Sequence, residues 1–143
     1  MHYAELHTTT NFSFLQAASH PEELVERAAA LGYAALAVTD LASVAGVVRA
    51  HTAAKDAGLR LIVGATITPR DAMPVVLWAP DRPAYGELCQ LITRGRRRAA
   101  KGACDLDFDD LATHADGLLA GVLPAPNKDI QPDDVHRYRE LFA

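Results

Sequence analysis

Short apolar runs and amphipathic stretches take turns along this chain, and that alternation restricts the fold more than any other feature. Ala35-Leu-Ala-Val-Thr39 is a brief apolar run closed by a polar residue, the pattern of a strand buried on both faces of a parallel sheet. Leu61-Ile-Val63 reads the same way, and Gly64 marks a close backbone approach just beyond it. Met73 to Trp78, entered through Pro74 and left through Pro80, and Leu118 to Leu123 supply two further strands. His2 to His7 alternates apolar and polar residues and forms the first strand.

The intervening stretches carry helical spacing. From His20 to about Leu31, the residues Leu24, Val25, Ala28 and Leu31 share one stripe. Ser19 is the expected N-cap, with Pro21 in the first turn, Glu22 at the capping-box position and Gly32 as a left-handed stop. A second helix is expected from about Ser43 to Ala57, ended by Gly58. A third runs from Ala84 to Arg98, with Leu88, Leu91 and Ile92 facing inward. Phe108 to His114 gives a short helix and Pro132 to Phe142 the last.

Strand–helix alternation with helices of about 10–15 residues predicts an α/β fold with a mostly parallel sheet or barrel. About five strands are fewer than a closed α/β barrel needs. Either the sheet is open or the chain is the first portion of a longer protein. The 143 residues suit one domain. A formal charge of -4 argues against a generally basic nucleic-acid-binding surface. The two cysteines, Cys89 and Cys104, are too few for a disulfide framework and read as reduced thiols. No apolar run reaches the length of a membrane span, so the expected compartment is the cytoplasm.

In parallel α/β architecture, functional groups gather where strands end. Those ends hold His7 to Asn11, Thr39-Asp40-Leu41 and Gly64-Ala65-Thr66. Glu5, His7 and Asp40 are the ionisable candidates for a metal, with Asp71 and Asp81 more distant. A two-metal hydrolase needs more ligands than these. The competing reading makes Asp40 a cap on the following turn and ties His7 to its loop. There is no phosphate-binding G-x-x-x-x-G-K pattern and no nucleophile elbow. His20, His51, His114 and His136 are scattered and read as solvated side chains. One concentrated basic run, Arg94-Gly-Arg-Arg-Arg-Ala-Ala-Lys101, offers Arg94, Arg96, Arg97, Arg98 and Lys101 to phosphates or an acidic partner. The same cations also complement the dipole at a helix C-terminus.

Four segments occur in an order that resembles a known family. They are ELHTTTNFSFL from Glu5 to Leu15, ASHPEELVERAAALGYAALAVTD from Ala18 to Asp40, AGVVR from Ala45 to Arg49 and LIVG from Leu61 to Gly64. Together they resemble the amino-terminal PHP (polymerase and histidinol phosphatase) domain of bacterial C-family DNA polymerases, in the error-prone, damage-tolerant branch. The resemblance continues to about Pro124. It implies part of a distorted (β/α)7 barrel, with residues 1–143 forming the N-terminal portion of a polymerase.

Metal-binding members of that family carry a His-x-His pair, an Asp beyond an aromatic-Ser turn, a Thr-Asp-His, and an acid after Val-Gly. At the matching positions this chain has Glu5 and His7, Gln16, Asp40 followed by Leu41, and Thr66. Leucine ligates no metal, and Gln and Thr are weak neutral donors. The resemblance therefore implies a degenerate, metal-free and non-catalytic module with a scaffold role and no cofactor of its own. It places the parent in translesion synthesis and repair, with Mg in the polymerase active site. The implied partners are the rest of the polymerase chain, DNA through the parent, accessory mutasome proteins and the sliding clamp. Two alternatives stand beside it: a metal-dependent phosphoesterase or 3′-5′ exonuclease built on Glu5, His7 and Asp40, and a small interaction module using Arg94 to Lys101.

Overall fold

A computed structural model describes residues 3–124, 130 and 132–142. These form two compact units, Met1–Ala65 and Thr66–Ala143.

In the first unit, strand β1 (Ala4–Glu5) leads through a loop to helix α1 (Pro21–Ala30), strand β2 (Ala35–Val38) and helix α2 (Val47–Ala57). Strand β3 (Arg60–Ile67) begins here. β1 pairs with β2 in parallel, Ala4 beside Ala35 and Glu5 beside Leu36. β2 pairs with β3 in parallel, from Ala35 beside Arg60 to Val38 beside Val63. All four residues of β2 are buried, as an apolar run in a parallel sheet should be. Val25, Ala28, Leu36, Val38, Ala50, Ala54 and Leu59 form the core. Alanines on both helices let α1 and α2 approach closely over β2.

The helix boundaries correct two expectations. α1 begins at Pro21, so the N-cap is His20 rather than Ser19. The capping-box acid is accordingly Glu23 rather than Glu22, and its carboxylate accepts the His20 N–H at 2.8 Å. Proline at the first helical position explains the one-residue shift, because its ring presets the helical φ and it has no N–H to satisfy. α2 starts at Val47 instead of Ser43. Ala42 takes a left-handed φ of 44°, and the Ser43 hydroxyl accepts the Ala45 N–H, so this stretch turns before the helix can propagate. Gly32 and Gly58 stop their helices at φ 72° and 65°, as expected. The first strand is shorter than its pattern, and His2 lies outside the described residues. β3 is longer than Leu61–Val63 and carries Gly64 inside the strand rather than beyond it.

In the second unit, strand β4 (Val75–Ala79) precedes helix α3 (Arg82–Arg98), helix α4 (Phe108–Thr113), strand β5 (Leu119–Val122) and helix α5 (Pro132–Leu141). β5 runs antiparallel to β4, from Val75 beside Val122 to Trp78 beside Leu119. The expected sheet was mostly parallel, and this pair is an antiparallel exception; its connection holds the two helices expected there, α3 and α4. α3 buries Leu88, Leu91 and Ile92 as its spacing predicted. On α5, Tyr138 is buried and its hydroxyl donates to the Met73 carbonyl. Its ring meets Phe108 edge-on at 5.3 Å.

Candidate functional site

Because β1 and β2 are parallel neighbours, the residues that follow them emerge at the same edge of the sheet. The Thr39 N–H donates to the Thr8 carbonyl at 2.8 Å, and the Thr8 N–H donates to Thr39 Oγ1 at 3.1 Å. This pairing lays the loop after β1 across the end of β2.

Asp40 sits under that loop with only 1% of its surface exposed. Its Oδ1 accepts the Thr10 N–H at 2.8 Å and the Ser13 hydroxyl at 2.7 Å. Its Oδ2 accepts the Thr10 hydroxyl at 2.8 Å. Ser13 Oγ in turn accepts the Leu41 N–H at 2.9 Å, and Thr10 Oγ1 accepts the Phe12 N–H at 3.1 Å. Thr10 and Ser13 are themselves buried. Gly46 closes the cluster: a Cβ there would lie 3.1 Å from Asp40 Oδ2 and 3.2 Å from Thr10 Oγ1. Three donors on two oxygens offset the burial of the carboxylate, and no ion pair to Asp40 occurs among the described residues.

The other expected positions lie around this cluster with different attachments. His7 Nδ1 is 3.0 Å from Thr39 Oγ1. Glu5 accepts the Tyr3 hydroxyl at 2.7 Å and the His7 N–H at 3.1 Å. The Tyr3 hydrogen bond, helped by backbone N–H groups and opposed by partial burial, holds the Glu5 carboxyl below its ordinary pKa. Gln16 is exposed, and Leu41 contributes its backbone N–H to Ser13 while its side chain offers no ligand. Thr66 is half-buried in β3, in the second unit. Asp71 and Asp81 have local roles in that unit: Asp71 accepts the Phe108 N–H, and Asp81 caps α3 by accepting the Ala84 N–H.

A divalent metal fits this donor set poorly. Glu5 and His7 lie at the accessible edge, whereas Asp40 offers buried oxygens already turned toward three internal donors. Among the described residues no three His, Cys, Asp or Glu side chains converge. The sequence pattern had singled out Glu5, His7 and Asp40 but missed Thr10, Ser13 and Gly46. The dense hydroxyls of the loop were the only available signal for them.

The basic run lies on the C-terminal half of α3 and is largely engaged within its own unit. Arg94 Nε lies 2.6 Å from Asp110 Oδ1, and Arg98 grips both Asp110 oxygens at 2.6 and 3.0 Å. Arg96 donates to the carbonyls of Gly102 and Ala103. Arg97 and Lys101 are exposed. Asp110 is 3% exposed and also accepts the Asp107 N–H, while Asp107 caps α4. Burial pushes the Asp110 carboxyl up, but the Arg98 hydrogen bonds, the Asp107 N–H and the Arg94 charge outweigh it and leave it below the usual range.

Comparison with known proteins adds an independent line. The family model described as "PHP domain" matches residues 5–132. An error-prone DNA polymerase of Rhodopirellula baltica is 52% identical over 138 residues, covering 96% of this chain and 12% of that protein. Error-prone DNA polymerase 3 of Agrobacterium fabrum is 43% identical over 143 residues, 100% of this chain and 13% of its own length. This chain thus spans about an eighth of the relatives it matches. A Bifidobacterium adolescentis protein described as a metal-dependent phosphoesterase superposes with a TM-score of 0.57 at 27% identity, over 67% of this chain and 34% of that one. An amidohydrolase from Chromobacterium violaceum gives 0.54 at 28% identity, over 66% and 33%.

Proposed function

Because this chain belongs to the PHP domain family, we propose that it is the opening part of a metal-free, non-catalytic PHP module in an error-prone DNA polymerase. Its role is structural. It supports a polymerase body that carries out translesion synthesis in DNA repair, with magnesium bound in that body rather than here. The rest of the polymerase chain is its immediate partner. DNA, accessory mutasome proteins and the sliding clamp are reached through the parent.

The observation that carries this reading is the way Asp40 is held: buried, with three internal donors on its two oxygens. A carboxylate held by Thr10 and Ser13 has both oxygens directed into protein. A metal drawing on Asp40 has to reach a buried oxygen that already accepts a hydrogen bond, and displacing one such bond to a charged group costs about 1.5–3 kcal/mol. Leu41 follows it with an aliphatic side chain where a further ligand is needed. An ion at this edge would have too few accessible charged donors to be held tightly.

The structural likeness to the Bifidobacterium phosphoesterase favours a second reading, hydrolysis of a phosphomonoester or a DNA 3′ end. Incubating the purified chain with p-nitrophenyl phosphate and with 3′-labelled DNA, each with manganese or zinc, separates the two. The scaffold reading expects background rates. Metal-stimulated turnover abolished by His7→Ala would establish the second reading instead. The scaffold role itself is tested in a full-length polymerase carrying this segment. Deleting the segment should lower both melting temperature and primer extension, and unchanged values would contradict it.

A further inference from the structure

A cleft of about 540 Å³ lies in the second unit, between the outer face of α3 and the end of α4. Cys89, Gln90, Thr93, Arg94 and Arg97 line it from α3, and His114, at the C-cap of α4, closes the opposite side. The α3 residues recur every three or four positions, so they form one stripe. No carboxylate is among the lining residues.

We infer that this cleft binds a phosphate-type oxyanion carried by a body of about nucleotide size. Four lining groups donate hydrogen bonds: the two guanidinium groups, the Thr93 hydroxyl and the Gln90 amide. Arg94 lines the cleft while its Nε sits on Asp110, so it is held there at little further cost in conformational freedom. Arg97 has no ion-pair partner among the described residues, unlike Arg94 and Arg98 on the same helix. His114 is steadied by Glu87 Oε2, 2.9 Å from its Nδ1. The volume exceeds a bare phosphate, and the cleft is broadly open to solvent, which leaves room for the molecule that carries the phosphate. The chain as a whole carries -4, so its overall field repels anions, and a saturable anion site reflects local arrangement. Of the basic run, this assigns Arg94 and Arg97 to a ligand, whereas Arg98 is a structural member of the Asp110 cluster.

The test is a titration of the 143-residue chain with inorganic phosphate at constant ionic strength, followed by amide and arginine side-chain NMR, with chloride as the reference. Saturable shifts confined to Thr93, Arg97 and His114 are expected, together with about tenfold weaker binding in Arg97→Ala. Lys55→Ala removes the same charge elsewhere and should bind as the parent does. Two further arms use deoxythymidine monophosphate and a short single-stranded oligonucleotide. Tighter binding of the monomer identifies a nucleotide-like ligand, and tighter binding of the oligomer identifies a phosphodiester strand. Shifts no larger than those with chloride, an unaffected Arg97→Ala, or equal binding of a polyglutamate peptide would overturn the proposal.

Discussion

The two units each bury an aspartate almost completely, and they stabilise it in opposite ways. Asp40 is held by two hydroxyls and one backbone N–H, all neutral. Asp110 is held by two arginines with a backbone N–H beside them. The first solution places a charge where neighbouring donors are short and fixed, and it packs the loop after β1 onto the end of β2. The second stitches the end of α3 to the start of α4 with long side chains that remain partly in water. A buried carboxylate therefore does not by itself indicate a metal. What surrounds its oxygens decides whether a cation is needed.

The largest expected effect comes from removing the neutral solution. Asp40→Ala leaves the Thr10 N–H and two hydroxyls buried without an acceptor, and should cost about 3–4 kcal/mol in urea unfolding. Asp40→Asn keeps the shape but replaces one acceptor oxygen with an NH2, leaving at least one of the three donors without its charged acceptor, and should cost about 2 kcal/mol. If Asp40→Asn were neutral, the hydrogen-bond account of this cluster would fail.

Asp110→Ala should cost about 2 kcal/mol, because the guanidinium groups stay partly hydrated when their partner is lost. This effect has a pH signature. The folded Asp110 carboxyl titrates below its ordinary value, so its stabilisation is present above the unfolded pKa of about 3.9 and is lost as pH falls through the folded value. The gap between parent and Asp110→Ala should stay constant from about pH 7 to 5 and close below about pH 4. A gap that widens on acidification would reverse the sign of the argument.

Salt sharpens the contrast further. Between about 0.05 and 0.5 M sodium chloride, the Asp110→Ala penalty should shrink by a few tenths of a kcal/mol while the Asp40→Ala penalty holds. Among the substitutions the smallest expected loss is Gly46→Ala, at about 1 kcal/mol, since its Cβ would press on Asp40 Oδ2, Thr10 Oγ1 and the Phe12 ring at 3.1–3.2 Å. Thermal unfolding of that variant reads it directly.

Much of the helical layout was legible because its signals are local. Gly32 and Gly58 mark their stops by φ alone, and the stripe of Leu88, Leu91 and Ile92 shows the buried face of α3 within a few residues. Ser19 was mistaken for the cap because the proline signal outranks the hydroxyl by one position. The reversed direction of β5 was not legible, since an apolar run does not encode which way it pairs. The Asp40 cluster was hidden for a similar reason. Its partners are 27 to 30 residues away, and only the parallel pairing of β1 with β2 brings them together. Glu5 and His7 stood out by residue type, whereas Thr10 and Ser13, chemically ordinary, do the holding.

The most direct measurement of the central claim is metal content and affinity. The purified chain, exchanged into buffer with a small excess of zinc or manganese and then dialysed, is analysed by elemental mass spectrometry beside Asp40→Ala. The account predicts well under one metal per chain in both. About one equivalent retained by the parent and lost in Asp40→Ala would contradict it, and would make Asp40 a ligand rather than a hydrogen-bonded anchor.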